Sequence, residues 1–125
     1  MTREHFEEVA QAAFDSLPKE FREKVENVHI VVEDLPGDGD LAASKAGRDS
    51  LLGLYQGVPL SYRGSWYGSS PVTPDKITLY QKNIEAVCRN ESEVEHRIAE
   101  VLFHELGHYF GMDEKQVRQA MKNFL

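Results

Sequence analysis

The chain reads as an α/β protein of the α+β kind, a small sheet packed with helices, and three observations predict it. Apolar residues recur at helical spacing near the start and again over residues 94–110. Between them lie three short apolar runs, VHIVV, LLGLYQGVPL and KITLY, rich in β-branched or aromatic residues. A length of 125 residues with 41% hydrophobic side chains suits one compact core and one domain over residues 1–125.

From Thr2 to Leu17, Phe6, Val9, Ala10, Ala13 and Phe14 form one apolar stripe of an amphipathic helix, and Pro18 closes it. A short helical turn is expected over Lys19 to Glu26, followed by a buried strand at 28–32. The segment EDLPGDGDLAASKAGRDS (33–50), dense in Gly and Asp, reads as loop. Strands are expected at 51–60 and 76–80. SYRGSWYGSSPVTP (61–74) separates them and carries the only tryptophan and two tyrosines, as a surface loop or as one wall of a binding cleft. Asn90 with Glu93 three residues on is a capping-box pattern, and it opens a helix over about 91–110. A last helix opens at Asp113 with Gln116 three residues on. Its apolar side is Val117, Ala120, Met121 and Phe124, with Lys115, Arg118 and Lys122 solvated.

Composition removes several function classes. A net charge of −7, with 14 cations scattered along the chain, disfavours nucleic acid and anionic lipid as partners. No apolar run approaches the ~20 residues of a membrane span. MTREHFEEVA has no secretory signal pattern, and a lone cysteine, Cys88, agrees with a reducing compartment, so a cytoplasmic location is expected. Nothing in the sequence specifies an oligomeric state.

The chemistry concentrates in HELGHYFGMDE, residues 104–114. At ~100° per residue, His108 falls about 40° round the helix from His104, so the two imidazoles can share one metal ion. Arg97, Glu100 and Glu93 lie on the same polar side, while Val94, Ile98, Val101, Leu102, Leu106 and Phe110 form the apolar one. Glu105 breaks that division. It falls where an apolar residue belongs, and a buried unpaired carboxylate there would cost several kcal/mol. Duty as a general base beside a metal-activated water supplies a reason for it. With five His and 14 Glu in 125 residues, chance alone supplies roughly 0.02 H-E-x-x-H matches.

A catalytic zinc site takes a third protein ligand and leaves a fourth position for water. Were the helix to continue, residue 114 would lie about 15 Å beyond His104 along its axis. Gly111 can take the left-handed conformation that ends a helix and turns the chain back. Glu114 is then the preferred third ligand and Asp113 the alternative, since Asp113 also reads as an N-cap. KQVRQAMKNFL beyond them has no Asp, Glu, His or Cys. His96 and Glu100 lie about 12 and 6 Å back along the helix. Glu100 suits a supporting acid, while His5 and His29 read as ordinary surface or packing histidines.

H-E-L-G-H-Y-F-G followed by Asp113 and Glu114 resembles the extended motif H-E-x-x-H-x-x-G-x-x-(H/D) of zincin metallopeptidases. The closer resemblance is to the small bacterial minimal-zincin metallopeptidases, which show segments similar to GLYQGVPL and DKITLYQKNIE. It covers most of the chain from about Leu51 onward and, in outline, the N-terminal helix. It implies the N-terminal half of a metzincin: a small mixed sheet of three to four strands, with helices and an edge strand near the metal. Two departures stand out. Residue 114 is Glu where the pattern most often has His or Asp, and no separate Met-turn is present, Met112 preceding the ligand position and Met121 reading as core.

The expectation is a zinc-dependent peptidase acting on a peptide or protein, with Zn²⁺ on His104, His108 and Glu114 and with Glu105 as base. Fe²⁺, Mn²⁺ or Ni²⁺ would accept the same donors. Tyr62, Arg63 and Tyr67 are candidates for substrate or oxyanion contacts, and LGLYQGVP could offer an edge to an extended peptide. The rivals are a zinc-binding or peptide-binding module without turnover, and a pair of metal-free surface histidines.

Overall fold

A computed structural model of the chain describes residues 1–68 and 73–122. Helix α1 (Arg3–Asp15) is capped by Thr2, whose hydroxyl accepts from the His5 N–H, and it buries Phe6 and Ala10. It stops before Pro18, which begins the single turn of α2 (Lys19–Arg22). Strand β1 (Val28–Glu33) follows. Next come α3 (Asp38–Ser44), β2 (Gly53–Gln56), a 3-10 turn at Leu60–Tyr62, and β3 (Asp75–Tyr80). Helices α4 (Gln81–Ala86), α5 (Glu91–Tyr109) and α6 (Glu114–Met121) complete the described residues.

The sheet is mixed and, among the described residues, three-stranded, in the order β1-β3-β2. Strand β1 runs parallel to β3 with Ile30 opposite Ile77, and β2 runs antiparallel with Tyr55 opposite Ile77. Side chains alternate across a strand, so Asp75, Ile77 and Leu79 share one face of β3 with Ile30 and Val32 of β1. Helices α1 and α5 pack on that face. The core between them includes Phe6, Ile77, Leu79, Ile98, Leu102 and Leu106, all at most 2% exposed. Burying each large apolar side chain of this kind contributes roughly 1.5–3 kcal/mol.

Several local expectations are corrected. The predicted 33–50 loop contains α3, whose first turn carries Asp38 and Asp40 at the positive end of the helix and whose end is a left-handed Lys45, φ 61°. Helix α4 has no side-chain cap and carries no sequence signal, and its Asn83 amide ties it back to the carbonyls of Arg48 and Leu51. The 51–60 strand shortens to four residues, because the chain bends at Gly57 and Pro59. The turn expected over Lys19 to Glu26 is helical only to Arg22. At the start of α5, Asn90 accepts from the Glu93 N–H as expected, but the Glu93 carboxylate binds the N–H and guanidinium of Arg89. The complete capping box is at α6, between Asp113 and Gln116. Of α6's predicted apolar side, Val117 is buried, Ala120 and Met121 are half-buried, and Phe124 lies outside the described residues.

Candidate active site

Helix α5 carries His104, Glu105 and His108, whose donor atoms lie within 4.8 Å of one another, close enough to hold a metal. Tyr109 ends the helix, Phe110 caps it, and Gly111 takes φ +80°. The Gly111 N–H donates to the His108 carbonyl at 3.0 Å and the Met112 N–H to that of Gly107 at 2.9 Å. This pair of bonds is the Schellman arrangement, and it reverses the chain. Asp113 then caps α6, with its carboxylate accepting from the Gln116 N–H. Gly107 lets α6 cross closely, since a Cβ there would fall 2.5 Å from Val117 Cγ2.

The reversal delivers Glu114. One of its oxygens lies 3.0 Å from His104 Nε2 and the other 3.5 Å from His108 Nε2. The two rings meet edge to face at 4.8 Å between centroids. Two imidazole nitrogens and one carboxylate thus face a common point, a donor set that zinc accepts. Asp113 is committed to its capping box. Glu105 sits elsewhere: its Oε2 lies 2.8 Å from His104 Nδ1, on the other side of the ring, and its Oε1 accepts from the Tyr55 N–H at 2.9 Å. The carboxylate facing the two Nε2 atoms is that of Glu114.

Glu105 is 7% exposed, and its two partners explain how a carboxylate survives on the apolar side of α5. Strand parity explains the Tyr55 N–H. The Tyr80 N–H donates to the Leu52 carbonyl, so Gly53 and Tyr55, at the alternate positions of this antiparallel pair, point their backbone groups outward. The Tyr55 N–H therefore leaves the sheet edge and meets α5.

An imidazole with carboxylates on both nitrogens donates from both and is a cation. The Glu105 bond, reinforced by Glu114 against partial burial, raises His104 to about 9. The same contact holds the Glu114 carboxyl below the usual carboxylate range. Metal uptake must displace the His104 proton. Apparent zinc affinity is therefore expected to climb up to tenfold per pH unit from about pH 6.5 and to level off near pH 9. Competition against a chromophoric chelator across that range measures it, and an affinity independent of pH would refute the cationic His104.

A cleft of about 810 Å³ opens over His104, Glu105 and His108 and is walled by Leu52, by Gly53 and Tyr55 of β2, by Tyr62, and by Arg97 and Glu100 of α5. Tyr62, 72% exposed, is on its rim. Arg63 and Tyr67 are not. Arg63 is spent on Asp75 at 2.7 Å and on the carbonyls of Val58 and Glu26, because a buried carboxylate at the start of β3 requires a cation. The Tyr67 hydroxyl accepts from the Asn27 amide, and its ring lies 4.2 Å under the Arg63 guanidinium. Glu100 pairs with His96 and Arg97 instead of supporting His104, the place that Glu105 takes. His5 lies 3.7–3.9 Å from Glu8, Glu91 and Glu95 on the surface, and His29 is exposed.

Tyr55 and Asp75 are the residues that sequence reasoning missed. Burial and a bond to Asp75 push the Tyr55 phenol far above its ordinary value. An aspartate opening a strand whose next inward residues, Ile77 and Leu79, are apolar was the available signal.

Gly111→Ala tests the reversal. A left-handed Ala costs about 1–2 kcal/mol, and its Cβ would also crowd Ser61 Oγ at 2.5 Å. The expected loss is about 2 kcal/mol, or roughly 8 °C in Tm by calorimetry. An unchanged Tm would show that the turn does not need glycine.

Among known proteins, a family model described as zincin-like metallopeptidase matches residues 25–123. No curated protein sequence matches the chain significantly. No helix among the described residues is long and apolar enough to cross a membrane.

Proposed function

The chain belongs to the zincin-like metallopeptidase family, and from that premise we propose that it is a zinc-dependent peptidase whose general base is Glu105. The observation that carries this reading is the convergence of His104 Nε2, His108 Nε2 and Glu114, with His104, His108 and the buried Glu105 lining one cleft. His104, His108 and Glu114 would hold the ion. Zinc, when bound, supplies Lewis acidity that brings the pKa of a coordinated water to about 7.

The remaining steps fall to the chain's own residues. Glu105 accepts a proton at a carboxylate oxygen and returns it to the leaving amine, which is why its place between β2 and His104 matters. The Tyr55 N–H holds one of its oxygens and His104 Nδ1 faces the other, so the carboxylate is kept in place. The outward backbone groups of Gly53 offer an extended peptide one place to pair along the β2 edge. Tyr62, on the rim, is placed to touch side chains of that peptide.

Digestion of a broad peptide library by the zinc-loaded protein, with new termini read by mass spectrometry, tests the reading. Reproducible cleavage that a chelator stops and zinc restores is expected. A second reading, a zinc-binding module without turnover, draws on one observation: both oxygens of Glu105 are already hydrogen-bonded, as in a carboxylate that only buttresses a ligand. It predicts tight zinc binding and an uncut library.

A further inference from the structure

Asp75 and Arg63 form an ion pair at 2.7 Å with side chains 1% and 5% exposed. Removing two charges from water costs several kcal/mol per ion unless every remaining lone pair and proton is satisfied, and an apolar pair would often serve stability as well. Here three hydrogen bonds reach the carboxylate, with at least one on each oxygen. Its Oδ1 accepts from the Val58 N–H at 3.1 Å, and its Oδ2 accepts from both Arg63 and the Tyr55 hydroxyl, the latter at 2.6 Å. The chain beyond β2 closes over this group: Gly57 takes φ +154°, and a Cβ there would fall 2.1 Å from Asp75 Cγ.

What the pair fixes is Tyr55. Its phenol is bound to Asp75, its ring meets Tyr109 edge-on at 6.2 Å, and its backbone N–H holds Glu105. One residue therefore joins the buried pair to the candidate base, across a strand whose outer edge has no neighbouring strand among the described residues.

We propose that Asp75, neutralised by Arg63, is a positioning residue that acts through Tyr55 to set where the β2 edge presents the N–H gripping Glu105. This rests on reading Glu105 as the base. Asp75 reaches neither the cleft nor the donor set. Its effect is the placement of a carboxylate oxygen, for which a displacement of about 1 Å can cost on the order of a hundredfold in rate.

The test uses the full chain, ¹⁵N-labelled, with the amide proton of residue 55 followed by NMR. Glu105→Gln sets the reference, because it replaces the charged acceptor of that amide. In Asp75→Asn the amide proton is expected to move toward the Glu105→Gln position. Tyr55→Phe, which leaves the Arg63 to Asp75 pair intact, should do the same, so the inference stands on a second variant if the first fails to fold. On any peptide the protein cleaves, Tyr55→Phe should lower kcat about tenfold with KM unchanged, and should lower it no further in the Glu105→Gln background. A residue-55 amide that keeps its wild-type position in folded Tyr55→Phe, with only Tm reduced, would overturn the proposal. The amide readout needs no turnover, so a chain that cuts nothing still decides this point separately from the peptidase reading.

Discussion

Glu105→Gln is expected to lower peptide hydrolysis by about 10²–10⁴-fold, the usual contribution of a positioned base, while zinc is retained. The donors on the Nε2 side, His104, His108 and Glu114, are untouched by the change. The amide keeps the shape of the carboxylate but cannot take up a proton. It also satisfies only one of the two groups that Glu105 now meets, the Tyr55 N–H or His104 Nδ1. A stability loss of about 1–2 kcal/mol should accompany the loss of rate. Elemental analysis and library digestion, run on the same preparation, separate the two effects. A variant that holds zinc and still cuts at the wild-type rate would remove Glu105 from the mechanism.

The second large effect is on the metal. A structural zinc site with four protein ligands is worth about 10–16 kcal/mol, roughly 3–4 kcal/mol per ligand, so loss of one of the three proposed here in His108→Ala should weaken zinc binding about 10²–10³-fold. Glu114→Gln should weaken it in the same direction, since the carboxylate faces both Nε2 atoms. Asp113→Asn should not, because asparagine caps a helix as well as aspartate does, and Asp113 already serves as the cap of α6. Chelator competition on the three variants reads this order directly. Equal losses for Glu114→Gln and Asp113→Asn would mean that the wrong carboxylate has been assigned.

What was legible in the sequence was what short spacing controls. Two histidines four apart on a strong helix must share a side, and a glycine at its end can only mark a stop or a reversal. Glu105 announced itself by standing in the wrong place. Helices α3 and α4 escaped for opposite reasons: α3 is written in Gly and Asp, which usually mean loop, and α4 buries Gln81 and Asn83 on polar anchors that no periodicity reveals. The distant pairings were out of reach. Arg63 looked available for a substrate until folding set it against Asp75, and the Tyr55 contact with Glu105 links residues 50 apart in the chain. The capping box is a nearer example of the same limit, since Glu93 chose Arg89 over its expected partner.

The three donors span only residues 104 to 114, one helix, one reversal and the start of the next helix. Closing so short a loop costs little entropy. The grip on Glu105, by contrast, depends on the sheet having formed with its strands in register. On the proposed reading, the ion's ligands and the base would be held by separate parts of the chain, one local and one dependent on long-range contacts. A preparation that lost its sheet would then be expected to keep a cation without the base in place, so metal content and activity would have to be measured separately.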